Sequence, residues 1–152
     1  METEFTLNGH AEVVDAPDHE LLIDTLRARM RLTGTKRSCD VEICGACTVL
    51  RDGQAISACT TLTADVDGAD VVTVEGLADG DELHPVQQAF VDHSAAQCGF
   101  CTPGMVMSVV ALCLEYPDAD EERIKEYLSS TLCRCTGYVK IIEAAQQALE
   151  QM

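Results

Sequence analysis

Eight of the nine cysteines in this 152-residue chain fall into two sets of four. The first set is Cys39, Cys44, Cys47 and Cys59, spaced C-x4-C-x2-C-x11-C. The second joins Cys98-x2-Cys101 to Cys133-x-Cys135 across 31 intervening residues. Four converging thiolates can hold an iron–sulfur cluster or a zinc ion, and either use requires deprotonated sulfur. Two such sites would make this a metalloprotein of redox or structural type.

The two sets differ in what spacing alone says. C-x4-C-x2-C…C is the ligand spacing of plant-type ferredoxins, in which four thiolates hold one [2Fe–2S] cluster. Common zinc spacings differ from it. Gly45 and Ala46 are small, as a loop wrapped tightly round a cluster requires, and backbone N–H groups there could bond to sulfur. Two short cysteine pairs far apart in sequence also suit a zinc clip between helical hairpins, so for the second set zinc stays open at this point.

The segments around the cysteines divide into strands and helices. Phe5-Thr6-Leu7 and Ala11-Glu12-Val13-Val14 flank Asn8-Gly9, a type I′ hairpin signal. An amphipathic helix is expected over about residues 20–31, with Leu21, Leu22, Thr25, Leu26 and Met30 on one face. Arg27, Arg29 and Arg31 at its end read as a solvated helix terminus. Thr48-Val49-Leu50 and Ala55-Ile56-Ser57-Ala58 form a second hairpin around Asp52-Gly53, and Val71 to Val74 is a further strand. Strands with one helix, and a cysteine loop between helix and hairpin, suggest a β-grasp arrangement. A Gly- and Asp-rich stretch from Gly76 to Leu83 ends that pattern and marks a boundary.

Beyond the boundary the pattern is helical. Pro85 suits the first position of a helix to about His93, and Thr102-Pro103 opens another that Pro117 closes after Tyr116. Two more run from about Asp120 to Ser129 and from just after Gly137. The expected fold is α+β: a β-grasp domain over residues 1–78, then a small four-helix bundle over residues 79–152.

The formal net charge of −16 excludes the basic stripe that nucleic acid requires. It fits solubility, a salty cytoplasm or a basic face on a partner. No membrane span is expected, because no run of about 18 uncharged apolar residues occurs. The acidic start Met1-Glu2-Thr3-Glu4 does not resemble a secretory signal, so the expected location is cytoplasmic, where clustered cysteines bind metal more often than they pair. There is no Ser-His-Asp arrangement, Walker loop or dinucleotide fingerprint, so turnover by this chain alone is not expected.

Gly34-Thr35-Lys36…Cys39…Cys44-Gly45-Ala46-Cys47-Thr48-Val49 resembles the ferredoxin-type signature of the xanthine oxidase family of molybdenum hydroxylases. Gln97-Cys98-Gly99-Phe100-Cys101-Thr102-Pro103-Gly104-Met105 and Leu132-Cys133-Arg134-Cys135-Thr136-Gly137-Tyr138 resemble its helical-domain signatures. The likeness runs from about residue 4 to 149 and is closest to the separate small iron–sulfur subunit. It implies two [2Fe–2S] clusters, with Cys98, Cys101, Cys133 and Cys135 holding the one nearer the molybdenum cofactor. Cys39, Cys44, Cys47 and Cys59 would hold the one nearer a flavin. It further implies that Gln97 and Cys135 contact the molybdopterin, expected in its cytosine dinucleotide form, on a large subunit. Electrons would pass on to FAD on a medium subunit, within a heterotrimer or a dimer of heterotrimers. A free-standing two-cluster carrier is the alternative.

Two features depart from the family's usual pattern. Ser38 and Glu42 stand where glycine is usual, and a left-handed backbone at Glu42 would cost roughly 1 kcal/mol or more, so a different path is expected there. Ser130-Thr131 replaces a common Gly-Asn, which should affect only a turn. Cys113 lies mid-helix and reads as packing. Met105 and Met107 read as core or interface, and His10, His19, His84 and His93 are too scattered to be ligands. Lys36 and Arg134 flank ligand cysteines and could tune cluster charge, bind a partner or simply be solvated.

Overall fold

The computed structural model describes residues 1–152. Strand β1 (Glu2–Leu7) alternates, with Thr3, Phe5 and Leu7 inward, as a half-buried strand must. It pairs antiparallel with β2 (His10–Asp15), from Leu7 opposite His10 to Glu2 opposite Asp15. Asn8 and Gly9 take φ of 50° and 81°, the left-handed pair of the expected tight turn. β3 (Thr48–Arg51) and β4 (Gln54–Ser57) form the second hairpin around Asp52-Gly53. β5 (Asp70–Val72) lies parallel to β1 and antiparallel to β3, giving the mixed order β2-β1-β5-β3-β4. It ends two residues earlier than expected, and a single 3₁₀ turn, Val74–Gly76, follows it.

The expected amphipathic helix is shorter and irregular. α1 (Leu22–Asp24) passes into a π-helical turn, Thr25–Arg29, in which Met30 N–H reaches the Thr25 carbonyl at 3.0 Å. Its apolar side, Leu22, Ile23 and Leu26, is buried against the sheet. The wide turn serves a polar knot: the buried Thr25 hydroxyl lies 2.6 Å from Glu20 Oε1 and 2.7 Å from Thr63 Oγ1. Arg29 grips the same Glu20 carboxylate at 2.6 and 2.7 Å. Arg27 holds the Thr33 and Thr35 carbonyls that lead into the first cysteine loop. Arg27 and Arg29 are therefore structural, not the solvated helix end expected, and only Arg31 fits that description.

Four helices complete the chain: α2 (Pro85–Asp92), α3 (Thr102–Glu115), α4 (Glu121–Leu128) and α5 (Val139–Gln151). His84 Nδ1 accepts from Val86 N–H at 3.2 Å and so caps α2, while Asp120 caps α4. α3 is buried all round from Gly104 to Cys113, because it is central to the helices and also packs on β3 and β4. Each fully buried side chain of the size of Met105 or Leu112 contributes about 1.5–3 kcal/mol.

There are two hydrophobic cores. One joins the sheet to α1 through Phe5, Leu22, Leu26, Val49 and Val71. The other joins the helices through Val86, Met105, Val109, Leu112, Ile124 and Ile141, and it also takes Leu50 from β3. Leu50 thus fastens the sheet to the helices. The arrangement is a β-grasp followed by a small helical bundle. No helix is long and apolar enough to cross a membrane.

Candidate metal centres

The structure brings each cysteine quartet together. In the first, the loop after α1 carries Cys39 and Cys44, the start of β3 lies next to Cys47, and the end of β4 leads to Cys59. Cys39 Sγ accepts the backbone N–H groups of Ile43 and Cys44, each at 3.4 Å. N–H donation from Val41, Ile43 and Cys44 holds the Cys39 thiol down at about 6. Burial instead pushes the Cys47 thiol up to about 12, against its neighbour Cys59. Cys47 and Cys59 are buried while Cys39 and Cys44 are half-buried.

In the second quartet, Cys98 and Cys101 precede α3, and Cys133 and Cys135 occupy the loop between α4 and α5. Cys98 and Cys135 sulfurs are 3.6 Å apart and exposed. Cys101 faces Cys133, and burial pushes the Cys101 thiol up to about 12. At Cys133 burial acts upward, but the Thr136 hydroxyl and the N–H groups of Cys135 and Thr136 outweigh it and leave the thiol at about 7. Thr136 Oγ1 donates to Cys133 Sγ at 3.1 Å and its N–H does so at 3.4 Å.

This donor chemistry fits iron–sulfur ligation. Each quartet has one thiol preset for ionisation by hydrogen bonds and one buried thiol that needs a metal's charge to ionise. The sulfurs approach in twos, Cys98 with Cys135 at 3.6 Å and Cys101 with Cys133, as the donor set of a two-iron cluster does.

The loops also meet each other. Leu132 N–H donates to the Cys44 carbonyl at 2.9 Å, so a residue next to Cys133 bonds to a residue of the first quartet. Gly45 lies against Ser130 and Thr131, and Gly104 against the Gly45 carbonyl. Thr131 is buried and shares a 3.0 Å hydrogen bond with Ser108 of α3. The Ser130-Thr131 replacement therefore belongs to the contact between the two loops and does more than shape a turn.

Glu42 takes φ of 58° and Asp40 takes 56°. The left-handed backbone is kept at Glu42 without glycine, contrary to the different path expected, and the Thr60 hydroxyl next to Cys59 donates to its carboxylate at 3.3 Å. Lys36 donates to the Thr33 carbonyl at 2.7 Å, Arg134 is exposed, and Gln97 is exposed beside Cys98. His84 caps a helix and His93 bonds to Gln147 at 2.7 Å. The sequence pattern gave no signal for the clamp made by Tyr138. Its hydroxyl accepts from Cys133 N–H at 2.8 Å and donates to the Thr131 carbonyl at 3.1 Å.

Cys113 is buried mid-α3, and burial raises its thiol to about 11. Cys113→Ala is expected to keep about four iron and four sulfide per chain, as two [2Fe–2S] clusters require. Iron analysis showing a loss of half would overturn the partition into quartets.

Residues 5–78 match a 2Fe-2S iron-sulfur cluster binding domain, and residues 73–146 match a [2Fe-2S] binding domain. The chain is 45% identical to the nicotine 6-hydroxylase small subunit of Paenarthrobacter nicotinovorans, across all of this chain and 92% of that one. It is 39% identical to the nicotinate dehydrogenase small FeS subunit of Eubacterium barkeri, across 95% of this chain and 92% of that one. Its fold superposes on quinoline 2-oxidoreductase from Pseudomonas putida 86 with a TM-score of 0.94 at 39% identity, covering 99% of this chain and 94% of that one. The chain belongs to the small [2Fe–2S] subunits of the xanthine oxidase family of molybdenum hydroxylases. Like them it is an iron–sulfur component of an oxidoreductase complex.

Proposed function

We propose that this chain carries electrons from a molybdopterin site on a large subunit to FAD on a medium subunit. A [2Fe–2S] cluster supplies one-electron acceptance and release. In this reading Cys39, Cys44, Cys47 and Cys59 hold one cluster within residues 1–78. Cys98, Cys101, Cys133 and Cys135 hold the other within residues 79–152. The sulfur neighbours suggest which two thiolates share an iron: Cys39 with Cys44, Cys47 with Cys59, Cys98 with Cys135, and Cys101 with Cys133.

The observation that carries the proposal is the Leu132 N–H to Cys44 carbonyl bond at 2.9 Å. It joins Cys133 to Cys44 through backbone and a single hydrogen bond. A carrier with two unrelated metal sites would have no need of that bridge. The N–H and O–H groups aimed at Cys39 and Cys133 stabilise charge on sulfur and raise the ease of reduction. Burial of Cys47 and Cys59 keeps water from that side of the first site.

Exposed Cys98, Cys135 and Gln97 would face the pterin, in its cytosine dinucleotide form. Phe100 and Leu132, each 47% exposed, give that face an apolar rim. The half-buried Cys39–Cys44 side, with Val41 and Ile43 exposed, would face the flavin-binding chain. The assembly would be a heterotrimer or a dimer of heterotrimers in the cytoplasm, where clustered cysteines bind metal more often than they pair.

Copurification with a large and a medium chain, and about four iron and four acid-labile sulfide per chain, is the expected result. A colourless protein with about two zinc ions would defeat the proposal. Purification of the iron-loaded chain alone would favour the free-standing carrier. Gln97→Ala should leave both clusters' absorbance intact and slow cluster reduction by substrate in the assembled enzyme. Loss of absorbance in the variant would remove Gln97 from the pterin contact.

A further inference from the structure

The sheet leaves one edge open beside a groove. Ala58 N–H donates to the Cys47 carbonyl at 3.3 Å, so these two residues form a hydrogen-bonded antiparallel pair. Such pairs alternate with unbonded ones. Val49–Ile56 and Arg51–Gln54 are then bonded, whereas Thr48–Ser57 and Leu50–Ala55 are not. Thr48 N–H agrees, since it turns to the Gly45 carbonyl instead. The N–H and C=O of Ala55 and the N–H of Ser57 therefore point away from β3, at the outer edge of the sheet. The Ser57 carbonyl is already used by Thr60 and Thr61.

Two cavities of 350 and 610 Å³ lie along this edge, and they share Ala55 and Tyr127 as one continuous groove. Glu42 lines one end, and Asp52 and Glu115 line the other; no lysine or arginine is among the lining residues, although Arg51 faces Asp52 at 3.8 Å from just outside the groove. Natural sheets blunt an open edge with lysine, proline or a bulge. Gln54–Ser57 has no lysine or proline, and only its short length limits it.

We propose that β4 accepts an extended, basic segment of a partner chain as a sixth strand. This rests on the chain being one component of a larger enzyme. Backbone bonds to Ala55 and Ser57 would set the register, and lysine or arginine side chains would reach Glu42 and Glu115. A second copy of this chain fits poorly, because its own β4 offers no cation and each copy carries a net charge of −16. One end of the groove, at Glu42, adjoins the Cys39–Cys44 side, while the exposed Cys98 and Cys135 are not among its lining residues.

Amide hydrogen exchange on the cluster-loaded chain, alone and in its copurified complex, tests this. The Ala55 and Ser57 amides should slow by about tenfold or more in the complex, while the Ile56 amide, already in the ladder, changes less. Ala55→Pro removes an N–H that makes no ladder bond, so both clusters should load while the complex dissociates about tenfold more readily. Glu115→Gln should flatten the salt dependence of assembly and serves if the proline variant fails to fold. Free exchange at Ala55 in an intact complex, with Ala55→Pro assembling normally, overturns the strand addition and leaves the electron-carrier reading standing. Protection that appears in the chain alone and grows with concentration assigns the edge to a second copy and also overturns it. A wild-type chain that binds no larger partner removes the proposed transfer between a partner's pterin and a partner's FAD, and with it the premise of this inference.

Discussion

Gly104→Ala is expected to push the two cysteine loops apart and to slow electron transfer between the centres they hold. A Cβ at position 104 would lie 2.2 Å from the Gly45 carbonyl oxygen and 3.0 Å from Ala46 Cα. Both obstacles are backbone, so no side-chain rotation relieves them. One side of the contact is the first turn of α3, three residues after Cys101, and the other is the loop between Cys44 and Cys47. Neither can retreat without dragging a cysteine of one set or the other. Overpacking of this kind costs about 1–3 kcal/mol, and rigid surroundings favour the upper end. For a chain of this size that lowers Tm by roughly 2–12 °C.

The kinetic effect should exceed the thermal one. Separating Gly104 from Gly45 also strains the Leu132–Cys44 hydrogen bond, which continues the same contact on its other side. The alanine variant should keep its iron yet transfer electrons more slowly from the helical site to the ferredoxin site, as rapid-mixing spectroscopy would record. An unchanged rate together with an unchanged melting temperature would mean that the two loops do not bear on one another here.

The parts of this fold legible in the sequence are those set by local chemistry. Asn8-Gly9 and Asp52-Gly53 announce their hairpins because both positions of a type I′ turn need positive φ. Pro85, Pro103 and Asp120 place three helix starts for equally local reasons. The close approach of Cys98 to Cys135 and of Cys101 to Cys133 was hinted at by the short Cys98–Cys101 and Cys133–Cys135 spacings, each of which places two thiols on one loop. What stayed hidden depends on groups distant in sequence. The π-helical turn at Thr25 accompanies a hydroxyl bond to Thr63, 38 residues away. The parallel pairing of β1 with β5 joins Thr6 to Asp70 and leaves no periodic trace. Thr131 looked like an ordinary turn residue, yet it is fully buried between Gly45 and Ser108. Glu42 shows the reverse error, since a residue ill suited to positive φ adopts it once the surrounding loop requires it.

Tyr138→Phe tests how the second site keeps its shape. Tyr138 is held at φ of 71°, an uncommon conformation for a bulky residue, and the Thr136 hydroxyl accepts its N–H at 3.3 Å. From that position the phenol bridges Cys133 N–H to the Thr131 carbonyl across the base of the Cys133–Cys135 loop. Phenylalanine fills the same space but leaves both backbone groups without that partner. Losing a part-buried partner of this kind costs about 1–3 kcal/mol, and the cost falls on the loop that carries two of the four thiols. Iron should leave the helical site faster in the presence of a chelator, while the ferredoxin site, whose loop does not touch the phenol, keeps its own. Thr136→Val probes the electronics, and it also removes the acceptor of the Tyr138 N–H. It removes the O–H donated to Cys133 Sγ and should lower the reduction potential of the helical site, leaving the ferredoxin site unmoved. If Tyr138→Phe releases iron no faster than the parent, the hydroxyl is a bystander and the loop is held by its sulfurs alone.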